Sequence, residues 1–160
     1  DLGNLSILVL EKHLLVRKLL SDVFSEFGFA TTFSTSDPVV AYDFFRNMTT
    51  DIILLDWTPD LDGLKFLRQV RNAPDSPNPF VPAVVTSANT DLNFISTARD
   101  DGMTEFLAKP VTARSIYRRI CNLIENPRPF IRVGQFFGPD RRRRSASSVG
   151  EDRRQLMAAE

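Results

Sequence analysis

Asp51-Ile-Ile-Leu-Leu-Asp56-Trp57 decides the fold. Four consecutive apolar residues lie between two acids. A run this short and this unbroken reads as a strand buried on both faces that delivers a carboxylate at its C-terminal end. Working outward, Leu5-Ser-Ile-Leu-Val-Leu10 is a second such run, and residues 29–33, 81–86 and Glu105-Phe-Leu-Ala read as three more strands. Helical patterns fall between them. Val16, Leu19, Leu20, Val23, Phe24 and Phe27 repeat at helical spacing, with Gly28 as a C-terminal cap. Asp37-Pro38 opens a helix presenting Ala41, Phe44, Phe45 and Met48, and helices are predicted over residues 63–71 and 92–100. Thr112 caps a last helix carrying Ile116, Ile120, Leu123 and Ile124. Five alternations of strand and helix predict an α/β, doubly wound, five-stranded parallel sheet occupying residues 1–125.

Composition narrows the function. The chain has 160 residues, 42% hydrophobic and 25% charged, as expected of one domain with an appendage. No apolar run approaches the length of a bilayer span, so no membrane insertion is expected. The chain opens Asp1-Leu-Gly-Asn, without a basic n-region, and carries a single cysteine, Cys121. Together these suggest a cytoplasmic setting. The formal charge of zero hides an asymmetry: residues 1–125 hold 12 Lys and Arg against 16 Asp and Glu, whereas residues 126–160 hold 8 Arg, no Lys and 4 acids. Arginine without lysine suggests planar, bidentate or stacking recognition more than solubility.

Ligands of doubly wound sheets gather at the carboxyl ends of the strands. There the sequence places Glu11, Asp56, Thr86, Ser87 and Lys109. A carboxylate, a second acid, a hydroxyl and an ammonium suit a phosphoryl group. His13 reads as a surface residue, Cys121 as a partly buried small side chain and Trp57 as a partly exposed neighbour of the pocket.

Asp56-Trp57, Pro59, Asp62-Gly63, Phe106 and Lys109-Pro110 together resemble the CheY-like response-regulator receivers. The resemblance covers about residues 5–125. It implies Asp56 as phospho-acceptor, Glu11, Ser87 and Lys109 as the phosphate pocket, Phe106 as the switch aromatic, and a histidine kinase as phosphate source. It also implies the flavodoxin-like strand order 2-1-3-4-5, and a signalling module, not a metabolic enzyme. Glu11 and Asp56 are the candidate metal ligands, but two departures weigh against Mg²⁺: Lys12 stands where the family has a second acid, and the segment after Asp56 is one residue short. Lys12 could instead pair with Asp56 and fix one conformation.

After the last helix, Pro127 and Pro129 break the pattern, and the tail has too few apolar residues for a core of its own. A tail ordered only by its ligand is expected over residues 126–160. It supplies Arg128, Arg132, Asp140, Arg141, Arg142, Arg143 and Arg144, interleaved with Phe130, Phe136 and Phe137. Arginine matches the O6/N7 edge of guanine and stacks on its face, while Asp accepts from the N1–H and N2–H₂ edge. A generic polybasic tail and an inert extension are the competing readings. The spacing of Arg128 and Arg132 is also that of the RxxxR motif of PilZ domains. A receiver followed by Arg-Pro-Phe-Ile-Arg and Phe-Phe-Gly-Pro-Asp-Arg-Arg-Arg-Arg resembles the Cle subfamily of receiver-like effectors. That resemblance implies cyclic di-GMP as ligand, bound as a stacked dimer by Arg128, Arg132, Phe136, Asp140 and residues 141–144. It further implies docking on the flagellar motor switch protein FliM at the flagellated pole, with no role for DNA.

Overall fold

The computed structural model describes residues 2–58 and 61–142. The elements run β1 (Ser6–Leu10), α1 (Leu14–Glu26), β2 (Thr31–Thr35), α2 (Pro38–Asn47), β3 (Ile52–Asp56), α3 (Gly63–Asn72), β4 (Ala83–Ser87), α4 (Leu92–Asp100), β5 (Glu105–Ala108) and α5 (Ala113–Glu125). A hairpin of β6 (Phe130–Val133) and β7 (Phe136–Pro139) follows. The first five strands form one parallel sheet in the order β2-β1-β3-β4-β5, as the sequence predicts.

The apolar runs are continuous because both faces of the sheet are covered. Ile7, Val9, Ile52, Leu54, Val84 and Leu107 pack against Phe24 of α1 and Ile116, Ile120 and Leu123 of α5. Their neighbours in sequence, Leu8, Leu10, Ile53, Leu55 and Val85, face the opposite way, against Phe45 of α2, Leu64 and Leu67 of α3 and Ala98 of α4. Thr112 caps α5 through a capping box, its side chain accepting from Ser115 N at 3.1 Å. Residue 63 has to be a glycine: a Cβ there would lie 2.7 Å from the carbonyl oxygen of Asp56, so α3 begins in direct contact with the end of β3.

Two expectations are corrected. Strand β2 begins at Thr31 and not at Phe29, because Gly28 adopts φ 87 and Phe29 N turns back to donate to Phe24 O at 3.1 Å. The tail is also not without structure of its own: residues 130–139 form an antiparallel hairpin whose two-residue connection opens on Gly134 at φ 58. The hairpin borrows apolar surface from the receiver. Phe130 and Phe137 pack edge-on to Phe80 at 5.3 and 5.5 Å between ring centroids, and the Arg71 guanidinium lies 4.9 Å over the Phe130 ring. Asp140 N donates to Pro129 O at 2.8 Å and closes the hairpin base. Among the described residues, no helix is long and apolar enough to cross a membrane.

Candidate functional site

Glu11 follows β1, Asp56 ends β3, Thr86 and Ser87 end β4, and Lys109 follows β5, so the register of the sheet brings all five to one edge. Asp56 and Glu11 are 1% and 2% exposed. Lys109 Nζ lies 2.7 Å from Asp56 Oδ1 and 3.7 Å from Glu11 Oε2. The Lys109–Pro110 peptide is cis. Lys109 is the cation that meets Asp56, and the Glu11 carboxyl lies against the same carboxylate. Lys12 is exposed; Lys109, not Lys12, is the cation on Asp56.

Desolvation raises the Glu11 carboxyl above its ordinary value of 4.5, and the charge of Asp56 adds to this. The His13 backbone N–H, donating at 3.1 Å, and Lys109 work the other way. A raised acid contributes stability that is complete below 4.5 and is lost as pH climbs through the raised value. Glu11→Gln is therefore expected to stabilise the fold by about 1 kcal/mol at pH 7.5, with the gain vanishing below pH ~4.5. Urea midpoints at the two pH values check this, and an unchanged or lower midpoint for the variant at pH 7.5 would contradict it.

The hydroxyls divide their work. Thr86 lines the small cavity, about 20 Å³, that Glu11, Asp56 and Lys109 share. Ser87 Oγ donates to Trp57 O at 3.1 Å and accepts from Asn89 N at 3.1 Å, which ties it to the segment after Asp56. Trp57 stacks on Phe94 of α4, with ring centroids 3.3 Å apart. Phe106 is half-buried against the core below α4. Pro59 lies outside the described residues. Among the described residues no group of three or more His, Cys, Asp or Glu could hold a metal ion. Glu11 and Asp56 are the two carboxylates at this edge, and the ammonium of Lys109 stands 2.7 Å from Asp56.

The opposite edge of the sheet carries the arginines. Glu105, at the start of β5, is 7% exposed and meets Arg119 Nη1 of α5 at 3.1 Å and Arg128 Nη2 at 3.0 Å. Arg141 pairs with Asp100 at the end of α4 and lies 4.6 Å over the Phe136 ring, while Arg132 lies 4.6 Å over Phe137. Asp140, 6% exposed, accepts from Arg142 N, Nε and Nη2 at 3.0 to 3.1 Å. Three adjoining clefts share Arg141. One of about 480 Å³ adds Arg99, Arg119, Arg128 and Phe106, and one of about 710 Å³ adds Ile131, Val133, Phe136, Asp140 and Arg142. The third, about 590 Å³, runs under Pro127 and Pro129. Arg143 and Arg144 lie outside the described residues.

Sequence reasoning missed Arg71, Arg99, Glu105 and Arg119. Glu105 was visible only as the first residue of a strand, and its burial follows from Arg119 and Arg128 reaching it from two other elements.

Residues 7–121 match the family profile described as "Response regulator receiver domain". The Regulator of RpoS of Escherichia coli is 35% identical over 106 residues, covering 66% of this chain and 30% of that protein. The cyclic di-GMP phosphodiesterase response regulator RpfG of Xanthomonas campestris is 28% identical over 127 residues, covering 78% of this chain and 33% of that protein. The chain thus spans about a third of the length of these relatives. In fold it is similar to the chemotaxis response regulator CheY4 of Vibrio cholerae, with a TM-score of 0.67 at 18% identity, covering 74% of this chain and 98% of that one. A profile match spanning β1 to α5, on a sheet of the same architecture as CheY4, makes this chain a member of the response regulator receiver family.

Proposed function

We propose that this receiver is a cyclic di-GMP effector: its tail hairpin takes up the dinucleotide, and the complex docks on the flagellar motor switch protein FliM, at the flagellated pole, to tune motility. The observation that carries the reading is the position of Arg141. It stands where an apolar wall of Ile131, Val133 and Phe136 meets Asp140 and Arg142 on one side and three further guanidinia, Arg99, Arg119 and Arg128, on the other. A guanine needs a face to stack on, an acceptor for N1–H and N2–H₂, and a guanidinium for O6/N7. Its phosphodiester needs charge-assisted donors. A bare polyelectrolyte tail needs neither the apolar wall nor a buried acid. Binding as a stacked dimer of cyclic di-GMP belongs to the same proposal, and Arg143 and Arg144 extend the basic run.

The test is calorimetric titration of cyclic di-GMP into the full chain, with GTP and a short single-stranded DNA as controls. Selective binding with weak salt dependence is the expected result. Asp140→Ala and Arg141→Ala should each weaken it by about ten-fold or more. Equal, steeply salt-dependent binding of all three anions, tightened by Asp140→Ala, would return the tail to a generic polybasic role. Capture of FliM by the full chain only when cyclic di-GMP is present tests the second half of the reading.

A second reading is favoured by the 2.7 Å contact of Lys109 with Asp56. In it, Asp56 accepts a phosphoryl group from a histidine kinase, Lys109 and Ser87 hold its oxygens, and Phe106 responds. Acetyl phosphate, with and without Mg²⁺, should then change the fluorescence of Trp57 in its stack on Phe94, and Asp56→Asn should abolish the change.

A further inference from the structure

The geometry points to a composite phosphate site, built by receiver and tail together, in which the Glu105 carboxylate stands in for the ligand's phosphate until the ligand arrives. The proposal rests on the dinucleotide reading above and deepens it. It adds Arg99 and Arg119, from α4 and α5, as binding residues, and Glu105 as the group the ligand displaces.

Arg99, Arg119, Arg128 and Arg141 line one cleft of about 480 Å³, and among the described residues the only carboxylate lining it is Glu105. Two guanidinia come from receiver helices and two from the tail, so neither part holds the site alone. Glu105 is nearly buried, and each of its oxygens faces a guanidinium: Oε2 meets Arg119 at 3.1 Å and Oε1 meets Arg128 at 3.0 Å. Two oxygens bridging two guanidinium groups is the arrangement a non-bridging phosphodiester oxygen pair would adopt. The remaining two arginines differ. Arg141 is held by the exposed side chain of Asp100, and Arg99 is exposed and has no ion pair among the described residues. Four guanidinia against Glu105 inside and the exposed Asp100 outside leave an excess of positive charge in the cleft. That surplus is unfavourable for the empty fold and favourable for a dianionic occupant.

The exchange also reaches the receiver. Arg128 joins the end of α5 to the hairpin, and Phe106 lines the same cleft from β5. When phosphate takes Arg119 and Arg128 from Glu105, the hairpin base loses one of its ties to β5. The surface between α4 and α5 is thereby rebuilt without any change at Asp56.

The experiment measures the affinity of the full chain for cyclic di-GMP and, in parallel, for inorganic pyrophosphate. Wild type is compared with Arg99→Ala, Arg119→Ala and Glu105→Gln, each first checked for an unchanged far-UV spectrum. Arg99→Ala removes an exposed side chain and guards against a variant that merely unfolds. Arg99→Ala and Arg119→Ala should each weaken binding by about ten-fold, and Glu105→Gln should tighten it by about ten-fold, because no internal carboxylate then competes. Glu105→Gln should also quicken tryptic cleavage after Arg132, the sign of a loosened hairpin base. Cyclic di-GMP binding that depends on Arg141 but is unchanged in all three variants would confine the ligand to the tail and overturn the inference while leaving the dinucleotide reading intact. Pyrophosphate binding that depends on Arg99 and Arg119, without any binding of cyclic di-GMP, would establish the composite site and overturn the dinucleotide. Failure of wild type to bind either anion would overturn both.

Discussion

Arg71→Ala is expected to destabilise the fold by about 3–5 kcal/mol, enough to leave a marginally stable domain largely unfolded. Arg71 is 2% exposed and has no acidic partner among the described residues. Its charge is met by two carbonyls: Nε donates to Gly102 O at 3.0 Å and Nη1 to Pro79 O at 2.9 Å. Burial pushes its pKa down to about 9, which still leaves it charged at neutral pH. The side chain thus holds together α3, the loop before β4 and the turn before β5, while Phe130 of the hairpin covers it. Truncation leaves two carbonyls without their donors, opens a cavity and removes the cationic face on which Phe130 rests. Arg71→Met separates these effects. It keeps the packing stem and should cost about half as much, since the hydrogen bonds and the cation are lost but no cavity opens. Urea unfolding followed by Trp57 fluorescence checks both. If both variants fell within about 0.5 kcal/mol of wild type, the three-way tie would carry no weight.

Lys109→Met is the second large effect, about 2–3 kcal/mol of destabilisation at pH 7.5. Breaking a buried pair normally costs 3–5 kcal/mol, reduced here because the lysine is 25% exposed. Without the ammonium, Glu11 and Asp56 face each other as two buried carboxylates. Glu11 is already raised by burial and by Asp56, and loss of the lysine raises it further. A raised acid regains stability as pH falls, so the deficit should shrink as the pH is lowered toward 4.5 and Glu11 takes up a proton. Adding Glu11→Gln should rescue much of the loss at pH 7.5. Melts of the single and double variants at two pH values test this, and a deficit that does not respond to pH would mean the lysine acts through packing.

The alternation of strands and helices was legible because it rests on local spacing. Both α4 and β5 fall where apolar periodicity places them, and so does the carboxyl-edge cluster, since strand ends map to one edge of a parallel sheet. What the sequence hid was non-local. Counted by itself, the tail lacks the apolar residues for a core, and that count is right. The hairpin forms because Phe80, outside every predicted strand and helix, and Arg71, read only as a helix residue, supply the missing surface from the receiver. The partner of Asp56 was obscured in a related way. Lys12 is near in sequence, but its side chain is exposed, whereas Lys109 arrives from another strand.

Strand β5 is four residues long, roughly 13 Å at the usual rise. Glu105 begins it and grips the base of the hairpin; Lys109 follows its last residue and grips Asp56. If the proposed dinucleotide binds at the first and a phosphoryl group at the second, the molecule has two keyholes at the ends of one short rod. Reciprocity fixes how they can interact: whatever factor a dinucleotide at the first imposes on phosphate at the second, phosphate imposes on the dinucleotide in return. Such a device works as a two-key lock when both ends are active. With one end silenced it becomes a single-key lock.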